Sequence, residues 1–292
     1  MCLDPLESSG RLHVSVVVPA FNEEAVLSEC LSGLIAQTIP ADEILVIDNG
    51  STDATAGIVR RFQDQYPDRG VRLLTQAGEP GLVPTRNLGL DQALGDIIGR
   101  IDADSRLAPD WVERVSAVFG DPDVAAVTGP VCYYDLPFRQ VGLRVDDLMR
   151  RLLLHIAPAQ CRFLFGSNMA VRRQAWELIR AETCRDENDL MHEDIDLALH
   201  LAGRGLLLSY EPTMIATLSA RRLEDHPRDF LHYITRFDRT YAAHNLHRKR
   251  LKAPTLLFLT IYLPAKATRN IYQYLQATQT TMQGPARKAH HP

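Results

Sequence analysis

Asp102 and Asp104 end the apolar stretch Gly95-Asp96-Ile97-Ile98-Gly99-Arg100-Ile101. One buried carboxylate is costly, and two side by side are worse. A divalent cation compensates directly, because hard cations take carboxylate oxygens. The alternative is a polar strand end leading into the helix start at Pro109-Asp110-Trp111.

Three further groups have chemistry in reach. Asp48 closes the run Glu43-Ile44-Leu45-Val46-Ile47 and precedes Asn49-Gly50-Ser51-Thr52-Asp53. Asn-Gly marks a tight turn and the Ser/Thr/Asp residues can cap a helix. Asp48 itself fits an acceptor for a nucleobase N–H. Pro84-Thr85-Arg86-Asn87-Leu88-Gly89 opens a helix. Free N–H groups at a helix start, with Arg86 nearby, suit a diphosphate; an ordinary cap with a solvated arginine is the other reading. His192-Glu193-Asp194-Ile195-Asp196-Leu197 places three acids in one helical turn. The helix dipole favours acids there, and one facing a cleft could act as general base.

The elements that must position these groups follow from the hydrophobic pattern. Residues 14–18, 43–48, 71–74, 96–101 and 124–128 read as strands, and 23–36, 53–66, 88–94 and 111–119 as helices. Strands alternating with helices predict an α/β fold with a mostly parallel sheet. Ligands bind at the carboxyl ends of such strands, where Asn22, Glu23, Asp48, Asn49, Asp102 and Asp104 fall. Beyond residue 130 the pattern predicts helices at 139–156 and 192–202. It also predicts a strand at 163–171 broken by a turn, and short strands at 206–208 and 214–217. From 225 onward the chain reads as mainly helical.

Composition excludes several classes. The 292 residues carry a formal charge of -4, with 46% hydrophobic and 23% charged residues, so no basic bias points to nucleic acid. No Gly-x-x-x-x-Gly-Lys-Ser/Thr loop occurs, and no Gly-x-Gly-x-x-Gly follows the first strand. The five cysteines, Cys2, Cys30, Cys132, Cys161 and Cys184, are scattered. Their spacing favours a reducing, cytoplasmic setting and neither a disulfide framework nor a cysteine zinc site. The N-terminal stretch does not read as a signal peptide. Leu256 to Leu263 is apolar but shorter than the roughly 20 residues that span a bilayer. Arg248, Lys249, Arg250, Lys252, Lys266 and Arg269 flank it. This suits either a helix packed on the domain or a peripheral contact at the inner face of a membrane through 250–275.

Six segments occur in order: 16–24 (Val-Val-Val-Pro-Ala-Phe-Asn-Glu-Glu), 47–53 (Ile-Asp-Asn-Gly-Ser-Thr-Asp), 85–90 (Thr-Arg-Asn-Leu-Gly-Leu), 102–104 (Asp-Ala-Asp), 166–173 (Gly-Ser-Asn-Met-Ala-Val-Arg-Arg) and 193–197 (Glu-Asp-Ile-Asp-Leu). With these the chain resembles the inverting glycosyltransferases of family 2, which have the GT-A fold. The resemblance runs from about residue 13 to 217. It implies a tail at 1–12 and a catalytic domain at 13–222. The domain divides into a nucleotide-sugar half at 13–130 and an acceptor half at 131–222; beyond the resemblance, the residue pattern gives a helical region at 223–283 and a disordered tail at 284–292.

The resemblance also implies roles. Pro19, Ala20, Phe21, Asn22 and Glu23 line the donor site, with Arg86 near the diphosphate. Asp48 contacts the nucleobase. Asp102, Ala103 and Asp104 engage the diphosphate and a Mg2+ or Mn2+ ion, with Asp104 the usual direct ligand. Asp194 is the base, while Glu193, Gly166, Ser167 and Asn168 shape the acceptor and sugar pocket. The implied reaction is metal-dependent, non-processive transfer of one sugar from a UDP-, GDP- or dTDP-sugar to an acceptor hydroxyl. A lipid-linked or envelope glycan acceptor fits a membrane contact.

Three departures stand out. Asn49 replaces a frequent second aspartate. Tyr233-Ile234-Thr235-Arg236-Phe237 only faintly echoes the Gln-x-x-Arg-Trp signature of processive synthases. Thr217 to Arg222 occupies a region where some members carry a metal-binding histidine. His226 and His232 are the nearby candidates, and Arg221 and Arg222 read as phosphate contacts or as solvated arginines. A sugar nucleotidyltransferase, or a non-catalytic nucleotide-sugar binder, is the alternative function.

Overall fold

The computed structural model describes residues 11–76, 78, 81–156, 162–186, 190–246 and 252–282. The expected tails, Cys2, Cys161, Arg248, Lys249 and Arg250 lie wholly or largely outside this set. A seven-stranded sheet forms the centre, in the order β3(Val71–Thr75), β2(Glu43–Asp48), β1(Val14–Ala20), β4(Ile97–Ile101), β8(Asn168–Arg172), β6(Val124–Thr128), β9(Leu207–Tyr210). All neighbours are parallel except β8, which runs antiparallel to β4 and β6. A second sheet, β5(Arg106–Leu107), β10(Ala216–Leu218) and β7(Val131–Tyr133), stands beside it.

β1, β2 and β4 are buried along their whole length. Strands covered on both faces read as continuous apolar runs, and that is how they were legible. One face carries α1(Leu27–Ile35), α2(Thr55–Gln65) and α4(Trp111–Val118). The other carries α3(Leu82–Gln92), α6(Arg173–Ile179) and α7(Glu193–Gly203). An outer layer adds α5(Arg139–Ile156), α8(Pro227–Ala243) and α9(Ala253–Met282).

Register fixes the functional edge. Ala20 pairs with Asp48, Asp48 with Thr75, and Ile101 with Asn168. The carboxyl ends of β1, β2 and β4 and the first residue of β8 therefore share one rim.

The structure departs from the expected elements in four places. α1 begins at Leu27, because Asn22 takes a left-handed backbone (φ 53°) and the loop after β1 latches onto the loop after β2. There the Asn22 N–H donates to Ser51 Oγ (2.9 Å) and the Glu24 N–H to Asp53 Oδ2 (3.0 Å). α3 begins at Leu82, so Arg86 lies in its second turn and not at a free helix start. Residues 163–167 precede β8 as irregular backbone. β5, β7 and α6 have too few residues to give a period, and α6 has no side-chain cap.

For two residues of its basic flank, α9 follows the packed-helix reading. Lys266 Nζ donates to the Asp225 carbonyl (2.8 Å), and Arg269 pairs with Asp135 (2.7 Å) and Glu224 (2.5 Å). Tyr262 stacks on Phe230 at 4.0 Å. This side of the helix is docked, while Leu256, Leu259, Leu263 and Ile271 remain exposed. No helix among the described residues is long and apolar enough to cross a membrane.

Gly89 sets how closely α3 approaches the sheet. A Cβ there would lie 2.3 Å from Val17 Cγ1 and 3.2 Å from Ile47 Cγ1. Gly89→Val should therefore lower unfolding free energy by about 1–3 kcal/mol through overpacking, read by urea denaturation. An unchanged midpoint would show that the α3–sheet spacing is adjustable.

Candidate active site

The rim collects carboxylates. Asp48 is buried, and its Oδ1 accepts the Ser51 N–H at 3.0 Å. Asp102 is partly open, whereas Asp104 is 7% exposed. Burial and the neighbouring Asp102 charge push the Asp104 carboxyl up to about 6, against the opposing pull of Arg221. Asp194 is the second residue of α7. The Gly166 N–H donates to its Oδ2 (2.7 Å) and the Ile195 N–H to its Oδ1 (2.9 Å). Burial and the adjacent Glu193 charge raise the Asp194 carboxyl well above its ordinary value.

Three arginines hold this charge together. Arg100 stands inside β4 and is 1% exposed. Its Nη2 meets Glu193 Oε1 at 2.9 Å, and its Nε donates to the Gly166 carbonyl at 3.0 Å. Arg86 pairs with the same Glu193 oxygen and with Asp102 Oδ1 at 3.1 Å. Burial alone would push the Glu193 carboxyl up, but Arg86 and Arg100 outweigh it and hold the group well below its ordinary value. Arg221 completes the set, reaching Glu23 with two nitrogens (2.6 and 2.9 Å) and Asp104 Oδ2 at 3.3 Å.

The expected site residues therefore divide. Asp48, Asp102, Asp104, Arg86 and Asp194 converge on one rim, and Glu23 joins them through Arg221. Glu193 lies there too, but as a clamp between two arginines, which unfits it for taking a proton. Pro19 and Ala20 belong to buried β1, and the Ala103 side chain belongs to the core. Phe21 is exposed. Asn22 is occupied with the β2 loop, its Oδ1 accepting the Thr52 N–H at 2.9 Å.

Asn168 does not line the cleft. It is fully buried, accepting from Trp111 Nε1 (2.8 Å) and donating to the carbonyls of Pro130 (2.8 Å) and Met214 (2.7 Å). Ser167 is half-buried. Gly166 has a steric reason to be glycine, since a Cβ would sit 1.5 Å from Arg100 Nη2. His226 caps α8, its Nδ1 accepting the Arg228 N–H at 3.3 Å, and His232 is exposed.

Arg100 was missed as a site residue, and Arg221 was read only as a phosphate contact or a solvated arginine, without its carboxylate partners. The signal for Arg100 was a lone arginine within Ile-Ile-Gly-Arg-Ile. No local pattern marks Arg221, whose partners lie about 120 and 200 residues away along the chain.

Residues 15–179 match the family model described as glycosyl transferase family 2. The chain belongs to this family. Among curated relatives, glycosyltransferase AglE of Haloferax volcanii is 34% identical over 120 residues, 40% of this chain and 39% of AglE. The uncharacterized glycosyltransferase YibD of Escherichia coli is 36% identical over 139 residues, 47% of this chain and 38% of YibD. The matched region thus spans well under two thirds of either relative.

Solved structures agree on the fold. Mannosyltransferase PcManGT from Pyrobaculum calidifontis, in complex with GDP-Man and Mn2+, superposes with a TM-score of 0.63 at 22% identity, covering 95% of this chain and 82% of that one. Staphylococcus aureus TarS 1-349 with UDP-GlcNAc gives 0.57 at 18% identity, covering 85% and 72%. This family member has the GT-A fold, with a C-terminal helix added.

The clamp yields a stability prediction. Glu193→Gln would strand buried Arg100 beside Arg86, and removing one partner of a buried ion pair costs about 3–5 kcal/mol. Chemical denaturation should register that loss. A variant as stable as wild type would mean that the arginines are held by something else.

Proposed function

We propose that the chain is an inverting, non-processive glycosyltransferase moving one sugar from a nucleotide-diphospho-sugar to an acceptor hydroxyl. The observation that carries this reading is Asp194: a half-buried carboxylate with a raised pKa, held by two backbone N–H groups, on the rim that also gathers Asp48, Asp102 and Asp104. A base poised above the ordinary carboxyl range accepts a proton more readily. In this reading Asp194 takes the acceptor hydroxyl proton and the oxygen attacks the anomeric carbon. The bond to the diphosphate breaks with inversion.

Asp48 receives the nucleobase, and Arg86 neutralises the diphosphate side of the cleft. The paired carboxylates fit a divalent ion such as Mg2+ or Mn2+. Asp104 is buried beside Asp102, and its counter-charge among the described residues is the Arg221 guanidinium. Asp104 and Asp102 would hold it, and its chemistry there is to stabilise charge on the leaving diphosphate. PcManGT, with GDP-Man and Mn2+, and TarS, with UDP-GlcNAc, offer precedents for the donor class. The exposed apolar side of α9 suits a lipid-linked acceptor at a membrane surface.

A thermal-shift panel of UDP-, GDP- and dTDP-sugars should select one donor, since specific binding stabilises the fold by mass action. With that donor, Asp194→Asn should abolish transfer while donor binding persists; normal turnover would refute the base assignment. In wild type the base must be ionised. The rate should therefore fall as pH drops through the raised Asp194 pKa, so the acid limb should lie above the ordinary carboxyl range. A rate flat down to pH 4, where an ordinary carboxyl titrates, would also count against Asp194.

A further inference from the structure

We infer that Asp196, His200 and His244 form a second metal site, for a Zn2+-class ion, that ties the base-bearing helix α7 to α8. Asp196 follows Asp194 by two positions, so its side chain leaves α7 about 200° around the helix. It points away from the cleft. His200, one turn on at i+4, shares the Asp196 face. His244 is the cap residue that ends α8.

The three ligand atoms lie within 4.8 Å of one another. His244 Nε2 is 2.8 Å and His200 Nε2 is 3.6 Å from Asp196 Oδ1. A tetrahedral ion with bonds of about 2.0–2.2 Å keeps its ligand atoms about 3.3–3.6 Å apart. The observed separations bracket that range, so small side-chain shifts suffice.

The surroundings orient the ligands as a metal site needs. The Cys184 N–H donates to Asp196 Oδ2 at 2.8 Å, which leaves Oδ1 to face both imidazoles. His200 Nδ1 faces Glu182 Oε2 at 3.6 Å, a carboxylate behind a histidine ligand. Both imidazoles are about one fifth exposed, which leaves an entry path and room for a water as fourth ligand. Two imidazoles with one carboxylate favour zinc and its transition-metal neighbours over Mg2+. Cysteine spacing could not reveal this site, because its donors are an Asp-x-x-x-His helix pair and a histidine 44 positions beyond His200.

α8 already grips the start of α7, where the His192 N–H donates to Thr240 Oγ1 at 2.8 Å. An ion at Asp196 would fix the next turns and so brace the helix that presents Asp194.

The test uses the full chain, stripped with a chelator and titrated with Zn2+ alone. Calorimetry should show about one tight site per chain that persists in Asp104→Asn and disappears in His200→Asn and His244→Asn. Glu182→Gln should weaken it by about 10–100-fold. Saturating Zn2+ should raise the melting temperature of wild type but not of the histidine variants. If a histidine variant fails to fold, Co2+ added to stripped wild type decides, because a tetrahedral histidine site gives intense visible bands. Absence of those bands, no tight Zn2+ binding to wild type, or loss of binding in Asp104→Asn would overturn the inference. In those cases the cluster is a hydrogen-bonded Asp–His–His staple without an ion.

Discussion

The cleft depends on one electrostatic constraint: too many carboxylates meet at the carboxyl rim of the sheet. Glu23, Asp102, Asp104, Glu193 and Asp194 crowd a partly desolvated space. Buried charge is tolerated only when paired and hydrogen-bonded. Arg100 from inside β4 and Arg86 from α3 converge on Glu193, and Arg86 continues to Asp102. Arg221 bridges Glu23 and Asp104 at the other end. Asp194 is held by the Gly166 and Ile195 N–H groups, and burial together with the adjacent Glu193 charge raises its proton affinity against the opposing pull of Arg100 and Arg86. In the proposed reaction, this is the carboxylate that serves as the base.

α7 turns this constraint into position. Its acids leave the helix in different directions, as 100° per residue dictates. Glu193 meets the arginines, Asp194 meets the Gly166 amide, and Asp196 meets the histidines behind. Meanwhile Leu197, Ala198 and Leu201 pack toward the sheet, and Ile195 and Leu199 toward α8. A helix fixed on these sides holds the Asp194 carboxylate with little freedom. A favourable interaction of acids with the helix dipole accounts for their presence in the first turn but not for their separate partners.

The sheet was legible because its strands are buried on both faces and so read as unbroken apolar runs. Their carboxyl ends then located Asp48, Asp102 and Asp104 without knowledge of the topology. β5, β7 and α6 were not legible, since at two, three and seven residues neither period has room to repeat. Side-chain partnerships over long separations were equally hidden. Arg221 read as a phosphate contact or a solvated arginine, yet it spans Glu23 and Asp104. Asn168 read as a pocket residue, yet it secures Trp111 beneath Gly99. Lys266 and Arg269 suited either a packed helix or a membrane-facing flank, and they bind the body of the protein.

The central claim is that Asp102 and Asp104 serve a donor diphosphate through a divalent ion, with Arg221 as the neighbouring counter-charge. Isothermal titration of wild type and Asp104→Asn with the nucleoside diphosphate of the selected donor, each with and without Mn2+, tests it most directly. The account predicts binding to wild type that strengthens at least tenfold with Mn2+, a gain of about 1.4 kcal/mol, and no such gain in Asp104→Asn. Equal affinity with and without the ion in wild type, or an undiminished Mn2+ effect in the variant, would contradict it.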